Sequence, residues 1–162
     1  MFETNLDATY AWIGLAMVSV ATAGVVGAFP ASPPPDASGV AHTIDSIADD
    51  EYPARAEHGL AANRIRLTTG SVALDGGGGT ARASLRAPRI TPVPTERRET
   101  TEGDGLRRVL SGVPPDAAFD DPEEFAAAAE RARRGDHEWR PAPDRLTVRR
   151  VHYGEVHVTL VG

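Results

Sequence analysis

Hydrophobic positions change their period several times along the chain, and each period predicts a different element. Between Asp7 and Asp36 no residue is charged, and Ala8 to Phe29 is an apolar run of 22 residues. A helix of about 20 residues crosses the ~30 Å hydrocarbon core of a bilayer. Tyr10 and Trp12 fall in the first turn and Phe29 at the end, where interfacial aromatics sit. Pro30 and then Pro33-Pro34-Pro35 stop the run. Residues 1–7 read as a short tail, 8–29 as a transmembrane helix and 30–38 as a stiff proline-rich linker.

The period then becomes helical. Ala37, Val40, Ala41, Ile44, Ile47 and Ala48 recur at i, i+3, i+4, i+7 spacing, with His42, Thr43, Asp45, Ser46 and Asp49 on the polar side. Residues 54 to 87 alternate instead. Ile65 and Leu67, Val72 and Leu74, and Ala81, Ala83 and Leu85 predict a strand meander with Gly76 to Gly79 at a hairpin tip. Residues 88–104 are proline-rich, then mixed in charge without an apolar period, which predicts a mobile surface loop. Leu106, Val109 and Leu110 suggest a short helical turn. A well-marked helix follows over 121–134. Asp121 is its cap, Pro122 its first residue, Glu124 stands at capping-box spacing, and Gly135 closes it.

The last segment, Arg145 to Val161, predicts a hairpin. A two-residue loop at Tyr153-Gly154 would mix Arg150, His152 and His157 with Leu146 and Val148 on one face. A three-residue loop, His152-Tyr153-Gly154, places Leu146, Val148, Val156, Val158 and Leu160 together. Thr147, Arg149, Glu155, His157 and Thr159 then share the other face. For a sheet with one wet side the second register is expected, because it segregates the faces. Arg149, Glu155 and His157 then form a candidate partner surface. The domain as a whole, 39–162, is expected as a small α+β fold of antiparallel strands with one or two packed helices.

The apolar run has three readings, a retained anchor, a cleavable signal and a buried core helix, and an uncharged run of 22 residues disfavours the last. A cleavable signal would be cut near Ala28, after the small residues Val26-Gly27-Ala28, but it needs a basic n-region. Residues 1–7 carry Glu3 and Asp7 and no Lys or Arg. A retained anchor is the expectation, with the N-terminus inside and the domain outside. Ser19, Ala23 and Gly27 make a small-residue stripe at four-residue spacing, the pattern that lets membrane helices approach closely.

Composition alters the picture in two respects. All 17 basic residues are arginine, and the formal charge is −6. That balance disfavours a nucleic-acid binder and suits a salt-loving or GC-rich source. The chain has no cysteine, so no thiolate chemistry is available to it. The four glycines lack the Gly-Lys-Ser/Thr of a phosphate loop, and no Gly-x-Ser-x-Gly occurs. The five histidines include no zinc-helix pair; His152 and His157 are the nearest candidates. Neither catalytic residue, cofactor nor metal is expected. The partners expected are the bilayer and other membrane or surface-complex subunits.

The order of a single N-terminal apolar helix, a helical continuation over Val40 to Ala48 and a strand-rich head from Arg64 onward resembles the type IV pilin and pseudopilin plan. Thr9 to Ala16, Val40 to Ile47 and the tail Val151 to Gly162 also resemble uncharacterised haloarchaeal membrane-anchored proteins, a domain-of-unknown-function group. The resemblance implies a structural or assembly role in a pilus-like or secretion apparatus, and supplies no active site. Two features depart from pilins: no basic leader precedes the helix, and the prolines at 33–35 interrupt the spine.

Overall fold

The computed structural model describes residues 32–87, 89–93 and 101–162. The chain divides into two units, Met1–Pro33 and Pro34–Gly162, and the second carries every element below. Among the described residues no helix is long and apolar enough to cross a membrane. The run expected to do so, with Ser19, Ala23 and Gly27, lies outside those residues.

The first helix, α1 (Ala37–Ala48), forms where the 3.6-residue period predicts it. Asp36 caps it, accepting from Gly39 N at 2.8 Å. Pro35 and Ala37 are already buried, so the folded domain starts inside the stretch 30–38 that reads as linker. Asp45 departs from the expected polar face. It is 4 % exposed, and its Oδ1 accepts from Arg86 N and Ala87 N, both at 2.9 Å. A carboxylate can be buried there because backbone amides satisfy it.

The strands form two four-stranded sheets. The outer one has the order β4-β3-β2-β6, from β2 (Arg64–Leu67), β3 (Ser71–Gly76), β4 (Gly79–Ser84) and β6 (Arg140–Pro141). Its β3–β4 hairpin turns at Gly77-Gly78, as the glycine run predicts, and Gly79 takes a positive φ of 104°. The central sheet has the order β1-β7-β8-β5, from β1 (Arg55–Gly59), β5 (Thr91–Pro92), β7 (Arg145–Tyr153) and β8 (Val156–Val161). Residues 55–59 therefore leave the expected meander and pair with β7. The sheets are not wholly antiparallel, since β5 runs parallel to β8.

Much of the stretch expected as a surface loop is structural. Ile90, Thr91, Pro92 and Val93 are buried, with Val93 N bonded to Val161 O at 2.8 Å. From Thr101 the chain forms α2 (Thr101–Ser111), a full helix rather than a short turn. The third helix, α3 (Pro122–Arg134), matches expectation at its start. Asp121 Oδ1 accepts from Glu124 N at 2.7 Å, while Glu124 reaches back to Asp120 N at 2.9 Å, one residue before the usual capping-box partner. Gly135 ends α3 in extended backbone, not in the left-handed form that helix-closing glycines usually take. Among the described residues three α-helices thus pack on the sheets, where one or two were expected.

Two apolar clusters flank the central sheet. One joins Val40, Ala41 and Ile44 of α1 to Ile65, Val72 and Leu74 of the outer sheet and to Leu146, Val148 and Val161 of the hairpin. The other joins Val109 and Leu110 of α2 and Phe125 and Ala129 of α3 to Val151, Val158 and Leu160. Phe119 and Phe125 pack with ring centroids 5.3 Å apart. The layers are therefore α2 and α3, central sheet, α1, outer sheet.

Candidate functional site

The β7–β8 hairpin carries most of the residues singled out from the sequence, and its register decides where they go. Tyr153 pairs with Val156, His152 with His157, Val151 with Val158 and Val148 with Val161. The loop is Gly154-Glu155, with Gly154 at φ 56° and no positive φ at Glu155, the signature of a type II′ turn. The three-residue loop is thus replaced by a two-residue one, shifted one position beyond the alternative considered. Leu146 and Val148 share their face with Arg150, His152, His157 and Thr159. Segregation of polar from apolar residues gave the wrong register because neither face is wet: α1 covers one and α2 with α3 the other.

Arg149 and Arg150 consequently point to opposite sides. Arg149 Nη1 donates to Val109 O and to Val113 O, the latter at 3.1 Å, at the C-terminal end of α2. Arg150 Nη1 donates to Ala48 O at the C-terminal end of α1. Each guanidinium meets carbonyls at a helix C-terminus, the negative end of the helix dipole, and Val109 O also accepts from Gly112 N at 3.0 Å. Burial, with Arg55 nearby, holds the Arg149 guanidinium below the usual arginine range. Two consecutive arginines thus fasten one helix on each face of the sheet.

Arg149, Glu155 and His157 do not form one surface. Arg149 is half-buried against α2, Glu155 is exposed in the turn, and His157 lies on the α1 side. His157 stacks on His152 with ring centroids 4.0 Å apart and planes 22° apart. Thr147 and Gly162 exchange both backbone bonds, which makes 152–157 a non-hydrogen-bonded pair, where side chains approach most closely. Burial, then His157 and Arg150, push the His152 imidazole below its ordinary pKa. Among the described residues no group of three or more His, Asp or Glu converges as metal ligands would. His58 Nδ1 lies 2.9 Å from Thr43 Oγ1, and His137 Nε2 lies 3.0 Å from Arg133 O.

A cleft of about 190 Å³ opens beside α2 and β7, with Arg107, Ser111, Arg145, Thr147 and Gly162 among its walls. Its two arginines are engaged by carboxylates, Arg107 with Asp104 at 2.8 Å and Arg145 with Glu57 at 3.3 Å. Ser111 Oγ, also in its wall, donates to Arg108 O at 2.8 Å.

Sequence reading missed one cluster. On the outer face of the β4-β3-β2-β6 sheet, the Arg64 and Arg66 guanidinium carbons lie 5.4 and 5.3 Å from the Trp139 ring centroid. The signal in the sequence is the alternation Arg64-Ile65-Arg66-Leu67, where the polar partners of a half-buried strand are both arginine. Trp139 stands 73 residues further on, and only the β2–β6 pairing brings it alongside.

The chain belongs to a family of unknown function, DUF7283, whose model matches residues 3–151. No curated protein and no solved structure matches it. The match covers the apolar run as well as nearly all of the folded domain. Membership of a family of unknown function, the coarser part of the expectation, is therefore shown.

Proposed function

We propose that the protein is a single-pass membrane protein with its N-terminus inside and residues 34–162 outside, acting as a structural or assembly component of a pilus-like surface or secretion apparatus. The observation that carries this reading is the uncharged run from Ala8 to Phe29 immediately before an independent compact unit beginning at Pro34. The lysine-free, acidic composition supports a salt-loving source, and the helix-then-head order supports kinship with pilin-like subunits. A structural role also fits how the folded unit uses its charged groups. Asp45, Asp121 and Glu124 satisfy backbone amides, and Arg149 and Arg150 satisfy helix ends.

Fractionation of a C-terminally tagged chain, with N-terminal sequencing, tests the anchor. A soluble extracellular product starting near Phe29 overturns it. Assembly through Ser19, Ala23 and Gly27 is tested by Gly27→Leu, which should leave membrane levels intact and lower crosslinked oligomers, with Val18→Leu as control. Helix contacts of this kind contribute on the order of 1 kcal/mol each. Equal crosslinking in all three proteins removes the stripe from the account. The alternative is a membrane-anchored or secreted module that binds a ligand or partner through the 88–104 loop and the hairpin, with Arg149, Glu155 and His157 acting from separate places rather than one face.

A further inference from the structure

Arg55, Arg86, Arg89, Arg107, Arg133 and Arg145 each lie within 3.4 Å of a carboxylate. Arg64, Arg66 and Arg82 form no ion pair among the described residues, and all three stand on one face of the outer sheet. The cross-strand register makes this explicit. Arg66 and Arg82 both flank Ala73, and Arg64 lies opposite Asp75. Ala73 is 2 % exposed although it stands on the outward face. Asp75 is the only carboxylate in these pairs, and it accepts from Thr80 Oγ1 at 2.7 Å. Trp139 packs under Arg64 and Arg66. Stacking of this kind orients a planar guanidinium while leaving its N–H edge available to an oxyanion. The face thus carries a surplus of cations in a chain whose formal charge is −6.

The position of this face in the fold indicates what covers it. The chain enters the domain at Pro35, whose Cγ would stand 3.0 Å from a Cβ on Gly76, at the end of β3. Asp75, next to Gly76, is the partner of Arg64, so the arginine row begins at the strand end where the chain enters. Only four residues lie between Phe29 and Pro34, five steps that reach about 17 Å when extended. We propose that the Arg64, Arg66, Arg82 and Trp139 face docks on the anionic phosphate headgroups of the bilayer that anchors the chain. This rests on the anchor reading above. Guanidinium–phosphate contact and an interfacial tryptophan are the chemistry such a surface rewards. Docking through this face also sets the orientation of the head.

The test uses the full chain carrying Trp12→Phe, which leaves Trp139 as the sole tryptophan. It is reconstituted with the head outward into phosphatidylcholine vesicles with or without phosphatidylglycerol, each containing a headgroup spin label. Resistance to alkaline carbonate reads the anchor, and quenching of Trp139 reads the face. Quenching should rise with phosphatidylglycerol and fall with added salt. Arg64→Gln and Arg66→Gln should each lower the docked-to-undocked ratio roughly fivefold, whereas Arg134→Gln on α3 should leave it unchanged. A carbonate-resistant chain with equal quenching in both lipids, or in all variants, overturns the docking and leaves the anchor standing. Release by carbonate overturns both.

Discussion

The two faces of the central sheet solve the same problem with different materials. On one side α1 lies between two sheets, its aliphatic stripe shared between Ile65, Val72 and Leu74 below and Leu146, Val148 and Val161 above. On the other, α2 and α3 cap a cluster with aromatic bulk, Phe119, Phe125 and Tyr153. The sandwiched helix has a buried carboxylate, Asp45, to bond the turn at Arg86 and Ala87. The capping helices keep their carboxylates at the rim, as Asp121 and Glu124 do. A helix packed on both sides can meet backbone only by sending a polar group inward. A helix packed on one side leaves its polar groups in water.

The comparison breaks most sharply if one face is wet. Val148→Asp and Val151→Asp place a carboxylate in the two separate clusters, so each should destabilise by at least about 4 kcal/mol. Denaturant melts decide this; a mild effect at Val151 would mean that the α2–α3 side is not a core. Next in size, Phe125→Ala should destabilise by about 3–5 kcal/mol and Ile44→Ala by about 2–5 kcal/mol. Because they lie on opposite faces of the sheet, the double variant should be additive within about 0.5 kcal/mol. Strong coupling would make the two clusters one core.

Smaller effects sharpen the polar half of the contrast. Asp45→Ala leaves two backbone amides without an acceptor and should destabilise by about 2–3 kcal/mol, while Asp49→Ala, exposed at the end of α1, should stay within about 0.5 kcal/mol. Arg149→Met and Arg150→Met should each destabilise by about 1–2 kcal/mol. Amide exchange should then quicken at the end of α2 in the first and at the end of α1 in the second. Opening of the same helix in both would contradict their opposed directions.

The smallest expected effect is a pH dependence. His152 has its folded pKa lowered from 6.5, chiefly by burial and then by His157 and Arg150. The unfolded chain therefore binds this proton more readily than the folded one. The contribution of His152 is fully present above pH 6.5 and declines as pH falls through that value towards the lowered folded pKa. Melts between pH 7.5 and 5.5 should show the decline, and His152→Gln should flatten it. An unchanged slope in that variant would assign the dependence to other groups.

The residues of α1 and α3 carry their helices in plain view, because spacing, cap and proline act over a few positions. The Gly76–Gly79 hairpin is equally local. Other features depend on partners far along the chain. Asp45 reads as a solvent-facing residue until the turn 41 residues away is brought to it. Ile90 to Val93 read as loop because a two-residue parallel strand leaves no period to detect. The Arg64–Arg66–Trp139 cluster is half legible: the alternating arginines are visible in β2, the tryptophan beneath them is not.

The hairpin register draws the final boundary. Sequence alone determines that Arg145 to Val161 alternates, that a glycine stands near its turn and that the chain belongs with a lysine-free, acidic composition. It cannot determine how many faces of a strand are covered, since alternation records polarity and not the neighbours that bury it. Val151, Val158 and Leu160 face α2 and α3, while Leu146, Val148 and Val161 face α1. With both faces covered by helices, Arg149 and Arg150 remain where a helix end can satisfy them, and His157 stays exposed near the turn. Packing on two sides, a property of the assembled layers, therefore fixed the register that local pattern left open.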